Sequence, residues 1–565
     1  MFSRRDFLAA AAAASALLAE CYGPRAARAA AERKLTQDML LRASPVGALT
    51  ILHISDIHAQ LKPVYFREPA VNIGVGSARA QPPHITGAEF LKSYGIAAGS
   101  PHAYALTSED FPALAKAYGA MGGLDRIATV VKAVRAERGE GNVLLLDGGD
   151  TWQGSWTSLQ TKGQDMIDLM SMLKPDAMVG HWEFTYGSER VREIVDKLPF
   201  AFLGQNVRDR QWQEPVFEAA RIFERGGAKI AVIGQAFPYT PIANPRWTVP
   251  DWQFGIREED VQKQVHAART GGADLVVLLS HNGFDVDRKM ASRVRGIDVI
   301  LTAHTHDALP SPVKVDGTLL IASGSHGKFV SRLDLDIRDK RIADFRYTLI
   351  PVFSDVIAPD PGVAAAIETA RAPFAADLAR IAGHTNSLLY RRSNFNGTFD
   401  DLICQAMLAE RDAEIALSPG MRWGASLLPG DPITFEAIAG ATAITYPNCY
   451  RMEMTGARLK DILEDIADNI FNPDPYYQQG GDMVRAGGVG YTIDVNAAMG
   501  SRISAMTLLR TGAPIDPATN YVTTGWASVN EGMEGPPIWE VVERYVSKVK
   551  TVTIEENSAI KVIGF

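Results

Sequence analysis

Leu49–His58 reads LTILHISDIH: an apolar run, Leu49–Ile54, that passes through Ser55 and then presents Asp56 and His58. The same grammar recurs along the chain. Val143–Leu146 leads into Asp147-Gly148-Gly149-Asp150, and Ala177–Val179 into Gly180-His181-Trp182-Glu183. Leu275–Ser280 leads into His281-Asn282-Gly283, and Val299–Thr302 into His304-Thr305-His306. Short apolar runs bounded by turn residues read as buried strands. Together with Ile230–Ile233 they alternate with helix-like stretches from Leu49 to about Ile350, which predicts a layered α/β domain. Strands ending in Asp or His along one rim build a concave, donor-rich pocket.

A lone histidine after a strand is ordinarily a hydrogen-bonded loop or core residue. The set Asp56, His58, Asp150, His181, His281, His304 and His306, in repeated contexts, points instead to metal. Side chains two apart on an extended segment share a side, so Asp56 with His58, and His304 with His306, are each expected to hold one ion. Two carboxylates and five imidazoles exceed what one ion needs, and Asp150 is the natural bridge between two. Oxygen and nitrogen donors without thiolate suit manganese, iron or zinc.

The rest of the 565 residues bounds the answer. At 46% hydrophobic and 22% charged the chain is ordinary globular material, with room for two to four domains. The net charge is −8, and residues 1–31 are themselves basic through Arg4, Arg5, Arg25 and Arg28. A remainder that acidic sets nucleic acid aside as a partner. Three cysteines, Cys21, Cys404 and Cys449, exclude a disulfide framework and a thiolate metal site; Cys404 and Cys449 are either paired or two buried thiols.

Ser3-Arg4-Arg5-Asp6-Phe7-Leu8, an alanine-rich stretch and Ala27-Arg28-Ala29 have the form of a bacterial twin-arginine export signal over 1–31. Its apolar run is shorter than the ~20 residues of a membrane span, and no later segment is apolar enough to make one. Glu20 before Cys21 does not suit a lipid-anchor site. A periplasmic protein, exported folded, is expected.

The catalytic domain is expected over 32–350, with a long insertion, 62–121, as a functional element or lid. Residues 351–380 read as a linker in which Asp360-Pro361-Gly362 opens a helix, Val363–Arg371. A second domain follows over 381–565.

In order, D-x-H, GGD, GH-E, H-N-G and H-x-H resemble the calcineurin-like metallophosphoesterases, specifically the 5′-nucleotidase branch. Leu417-Ser418-Pro419-Gly420-Met421-Arg422, Pro432-Ile433-Thr434, Tyr446-Pro447-Asn448 and Gly490-Tyr491-Thr492 extend the likeness into the second domain. The resemblance implies a four-layer αββα metal domain and a C-terminal α+β substrate-binding domain, with the active site between them.

The chain departs from that branch at one stretch. Where nucleotidases carry Gly-Asn-His-Glu-Phe-Asp, it has Gly180-His181-Trp182-Glu183-Phe184-Thr185. His181 replaces a metal-binding Asn, while Trp182 and Thr185 replace the His–Asp pair that assists phosphate-ester cleavage. Met483-Val484 stands near the place of a nucleobase-stacking aromatic. The run Gly180–Gly187, with the export signal and the insertion, resembles the SoxB family of periplasmic dimanganese thiosulfohydrolases.

That resemblance implies two Mn2+ (Zn or Fe as alternatives). It also implies hydrolysis of a cysteine S-thiosulfonate on a SoxYZ carrier, whose Gly-Gly-Cys-Gly-Gly arm must enter the pocket. Asp150, His181 and Arg422 are the expected catalytic residues, and Arg422, Asn206 and Trp182 the expected substrate contacts. Arg422 is chosen because a guanidinium fork suits a tetrahedral oxyanion. Glu183 is expected behind the metal ligands, Arg391 and Arg392 as a solvated pair, Tyr476 and Tyr477 at the channel or in the core, and the protein as a monomer. The competing readings are a periplasmic 5′-nucleotidase-like phosphoesterase and a metal-stabilised binding protein without turnover.

Overall fold

The computed structural model describes residues 35–565; the signal segment and Cys21 lie outside the described residues. Two six-stranded sheets face each other. In the first, Leu49–Ile54, Val143–Asp147, Ala177–Met178 and Ala201–Phe202 run parallel, and Phe329–Arg338 and Arg341–Pro351 complete it antiparallel. In the second, Ala228–Gln235, Leu275–Ser280, Val299–Thr302 and Thr318–Ala322 run parallel, with Ala220–Arg225 and Val313–Val315 as antiparallel edges.

The two-residue period of a strand builds the layers. Leu49 and Ile51, Leu144 and Leu146, Val277 and Leu279, Val299 and Leu301 point between the sheets. Their alternates, Leu52 and Ile54, Val143 and Leu145, Val276 and Leu278, and Ile300, pack outward under helices such as Leu124–Arg138 and Glu258–Thr270. Both faces of each central strand are therefore apolar, which is why these strands read as continuous runs.

Parallel strands send all their carboxyl ends to one rim, and the expected αββα sandwich thus puts every predicted ligand loop on the same side. The C-terminal part carries three small sheets and the helices Thr398–Glu410, Phe435–Thr442, Gly456–Ile470 and Ile538–Val549. Between the two parts, Asp360 caps the helix Pro361–Arg371 by accepting from the Val363 N–H, the position its Asp-Pro-Gly signature predicts.

The insertion is more ordered than a Gly/Pro loop. It contains the helices Gly87–Tyr94, Pro101–Leu106 and Phe111–Tyr118, and it buries Phe90, Tyr104 and Phe111 in the main core. Lys328, 1% exposed, donates to Glu68 (2.6 Å) and to the Phe66 and Ala105 carbonyls. A buried ammonium with three partners fastens this part of the insertion to the catalytic domain. Cys404 and Cys449 are separate, buried free thiols.

Candidate metal centre

Seven side chains converge at the rim in two groups sharing one carboxylate: Asp56, His58, Asp150 and His306, and Asp150, His181, His281 and His304. All are buried. These are the seven expected ligands, and Asp150 stands at the junction. The pairing within the last motif is corrected: His304 and His306 go to different groups. They lie beyond their strand at φ +75° and +59°, so the extended-segment rule does not govern them. Asp56, His58 and Asp150 are likewise left-handed, at +51°, +50° and +54°. Left-handed backbone costs about 1–3 kcal/mol per non-glycine residue and collects at functional sites.

The ring nitrogens reveal what the site is arranged for. His281 Nδ1 meets the Gly148 carbonyl at 2.6 Å, His58 Nδ1 that of Gln153 at 3.1 Å, and His304 Nε2 that of Gln479 at 2.9 Å. A carbonyl accepts only, so in each ring that nitrogen carries a proton and the other faces inward, available to an ion once any second proton is displaced. Inside, His58 Nε2 lies 3.1 Å from His306 Nε2, and His181 Nδ1 3.2 Å from His281 Nε2. Asp150 Oδ2 is 3.1–3.2 Å from His281 and His181. Two donors roughly 2.1 Å from one ion sit roughly 3.0–3.4 Å apart, so these spacings fit edges of a coordination polyhedron. The donor set fits two divalent cations.

Electrostatics follow from burying this cluster. Burial opposes ionisation of Asp150, but His181, His281 and His58 outweigh it and hold the carboxyl well below its usual range. Burial likewise opposes charging His281, yet Asp150 and Asp56 lift it to about 10. Burial raises Asp56 to about 7 and lowers His58 to about 4. His304 and His306 are held well below the ordinary histidine value, first by burial and then by neighbouring histidines.

The supporting residues divide the expectations. Glu183 holds three backbone N–H groups, of Thr151, Trp152 and His181, which fixes the ligand loops through main chain. Trp182 donates its backbone N–H to Asp150 Oδ1 at 2.9 Å, while its ring leaves the catalytic domain. That ring packs edge-on to Trp423 (4.7 Å) and parallel to Tyr446 (6.1 Å) inside the C-terminal core. Thr185 Oγ is engaged with the Trp182 carbonyl at 2.7 Å.

Arg422 stands beside the second group, within 3.4 Å of the His304 carbonyl, with Gly481 O and Asp482 as its other partners. Asn206 is fully buried, and its amide meets Ala236 N, Ala236 O and Gly255 O as a strut between two loops. Arg391 and Arg392 are not solvated. Arg391 is buried against Asp400, and Arg392 reaches the ligand loop. Tyr476 is tied to Glu258, and Tyr477 is exposed.

Three contributors escaped the sequence reading. Trp423 stacks on His58 at 5.0 Å and 24°; its place beside Arg422 was the available signal. Asn244 sits beside His181, where it favours the charged imidazole, and offers Nδ2 to the Tyr446 hydroxyl at 3.5 Å. His181 Nε2 and Asn244 Oδ1 are both buried without a hydrogen-bond partner. Gln479 comes from a loop with no chemical signature.

A groove runs beside this centre, lined by the insertion (Asn72, His84), the helix start at Phe284, Thr305 of the ligand loop, and Arg422 and Gly480 of the C-terminal part. Gly480, at φ +71°, lies so close that a Cβ there would meet the His304 ring at 2.8 Å.

A buried two-group donor cluster at the carboxyl rim of a two-sheet sandwich defines a metal-dependent hydrolase of the phosphoesterase type, and the sequence matches agree. Residues 49–308 match the calcineurin-like phosphoesterase family and 378–543 the 5′-nucleotidase C-terminal domain. The sulfate thiohydrolase SoxB of Thermus thermophilus is 36% identical at a TM-score of 0.90, covering 93% of this chain and 98% of that one. A 5′-nucleotidase precursor from the same species shares the fold at 21% identity and TM-score 0.71, over 92% of this chain and 99% of that one. Human 5′-nucleotidase is 23% identical over 86% of this chain and 83% of its own length. The chain belongs to the SoxB family, within the 5′-nucleotidase branch of the calcineurin-like phosphoesterases.

Proposed function

We propose that the protein is a periplasmic, twin-arginine-exported hydrolase that releases sulfate from a cysteine S-thiosulfonate on a SoxYZ-type carrier. The bond between sulfane and sulfonate sulfur breaks and a sulfur–oxygen bond to water forms. The carrier keeps a cysteine persulfide, and sulfate and a proton leave. Asp56, His58, Asp150 and His306 would hold one ion and Asp150, His181, His281 and His304 the other, with Mn2+ as the proposed metal. Two such ions supply Lewis acidity toward the sulfonate oxygens and lower the pKa of water.

The chain's own residues do the rest. Arg422 lines the groove beside the His304 loop; in this reading its guanidinium would turn from Gly481 O and Asp482 to the sulfonate oxygens, an anion its fork suits. The groove is open between the insertion and the C-terminal part, which suits an extended glycine-rich arm. It carries Phe284 but no aromatic pair to sandwich a base.

The observation that carries the reading is the fate of the acid–base positions. Trp182 is committed to packing and Thr185 to a backbone carbonyl, while all seven donors remain. An alkoxide leaving group needs a proton donor, whereas a persulfide is a far weaker base and leaves without one. The test is sulfate release by Mn2+-loaded protein from a thiosulfonate-modified carrier cysteine, with 5′-AMP in parallel. Sulfate without phosphate supports the proposal. Phosphate alone replaces it with the nucleotidase reading that the human relative favours.

A further inference from the structure

His304 and His306 are two residues apart and yet serve different donor groups. Something must hold the intervening loop in its left-handed, splayed form, because such backbone is strained for any residue but glycine. The carbonyls of Thr305 and His306 are taken by one side chain, Arg392 from the C-terminal part. Nη1 donates to His306 O at 2.5 Å and Nη2 to Thr305 O at 3.0 Å, with Asp307 at 3.4 Å. The guanidinium is 5% exposed, and on its far side Glu68 of the insertion lies at 3.6 Å, itself held by Lys328.

We propose that Arg392 is a positioning residue for the metal pair: its fork clamps the 305–306 carbonyls and thereby divides His304 and His306 between the two ions. Glu68 holds the fork in place. A planar guanidinium suits two adjacent carbonyls at once, while an ammonium is a point donor that matches neither direction fully. The clamp joins the insertion, the C-terminal part and the ligand loop. Assembly of the metal pair therefore depends on docking of elements that contribute no ligand. The inference rests on the two-ion reading and deepens it.

The test uses the full chain, stripped of metal and titrated with Mn2+, read by binding competition and by the electron paramagnetic resonance signature of coupled against isolated Mn2+. Wild type is expected to bind two coupled ions. Arg392→Met is expected to weaken binding about 10–100-fold, the range for lost ligand support, and to show isolated Mn2+. Arg392→Lys should recover only part of the affinity. Glu68→Gln should weaken binding less than Arg392→Met does, with an unchanged circular dichroism spectrum.

Wild-type affinity and coupling in folded Arg392→Met overturns the proposal. If that variant fails to fold, wild-type behaviour in Arg392→Lys overturns it instead. Fewer than two ions in wild type defeats the two-ion reading itself, whatever the variants do.

Discussion

Restoring the missing acid should convert the leaving-group preference of this enzyme. Trp182 and Thr185 sit three apart in the 3-10 helix Trp182–Tyr186, where residues i and i+3 eclipse, and the Thr185 hydroxyl already lies against the Trp182 carbonyl. The double variant Trp182→His/Thr185→Asp therefore places an imidazole with a carboxylate beneath it, next to the shared Asp150. A positioned general acid contributes about 10²–10⁴-fold when the leaving group is a strong base. The variant should gain that factor on 5′-AMP and little on p-nitrophenyl phosphate, whose phenolate leaves unaided.

The exchange also removes an indole that is 9% exposed among Trp423 and Tyr446. An imidazole fills part of that space, so a loss of about 2–4 kcal/mol is expected, somewhat below full truncation, and a fall in Tm of several degrees. The ligands should survive, because the contact to Asp150 is made by the backbone N–H at 182. The assay compares kcat/KM for the two esters at equal metal occupancy. No gain on 5′-AMP, or an equal gain on both esters, would refute the claim that a dispensable proton donor explains the substitutions.

Other perturbations separate support from chemistry. Metal uptake should release protons: Asp56 at about 7 and His281 at about 10 carry protons that an ion must displace. Apparent affinity should thus rise with pH from 5 to 8, and calorimetry in buffers of different ionisation enthalpy should detect the protons; none released would contradict the assignment. Asn244→Leu removes the buried amide that favours the charged form of His181 and should weaken metal binding about 10–100-fold; a titration equal to wild type would show that the ring is oriented otherwise. Asn206→Ala should lower stability by about 1–3 kcal/mol, the cost of unpaired buried groups, with KM unchanged in the folded protein. A raised KM at unchanged stability would return Asn206 to the substrate site.

Much was legible in the chain. Strands covered on both faces must be continuously apolar, so Leu49–Ile54, Leu275–Ser280 and Val299–Thr302 announce themselves, and the donors follow them directly. What stayed hidden has a common cause. The separation of His304 from His306 depends on left-handed dihedrals that no spacing rule encodes. The strut role of Asn206 stayed hidden because its hydrogen bonds reach residues 236 and 255, distant in sequence. Arg391 and Arg392 looked solvated because their partners, Asp400 and the 305–306 carbonyls, come from other elements.

The order and chemical type of the ligands thus belong to local sequence, since periodicity and residue chemistry act over a few positions. The division of seven donors between two groups does not. It arises where the insertion, the ligand loop and the C-terminal part meet, through Glu68, Arg392, Gln479 and Trp423. Each of these acts through a contact far from it in the chain, and a contact of that kind exists only once both cores have closed around it.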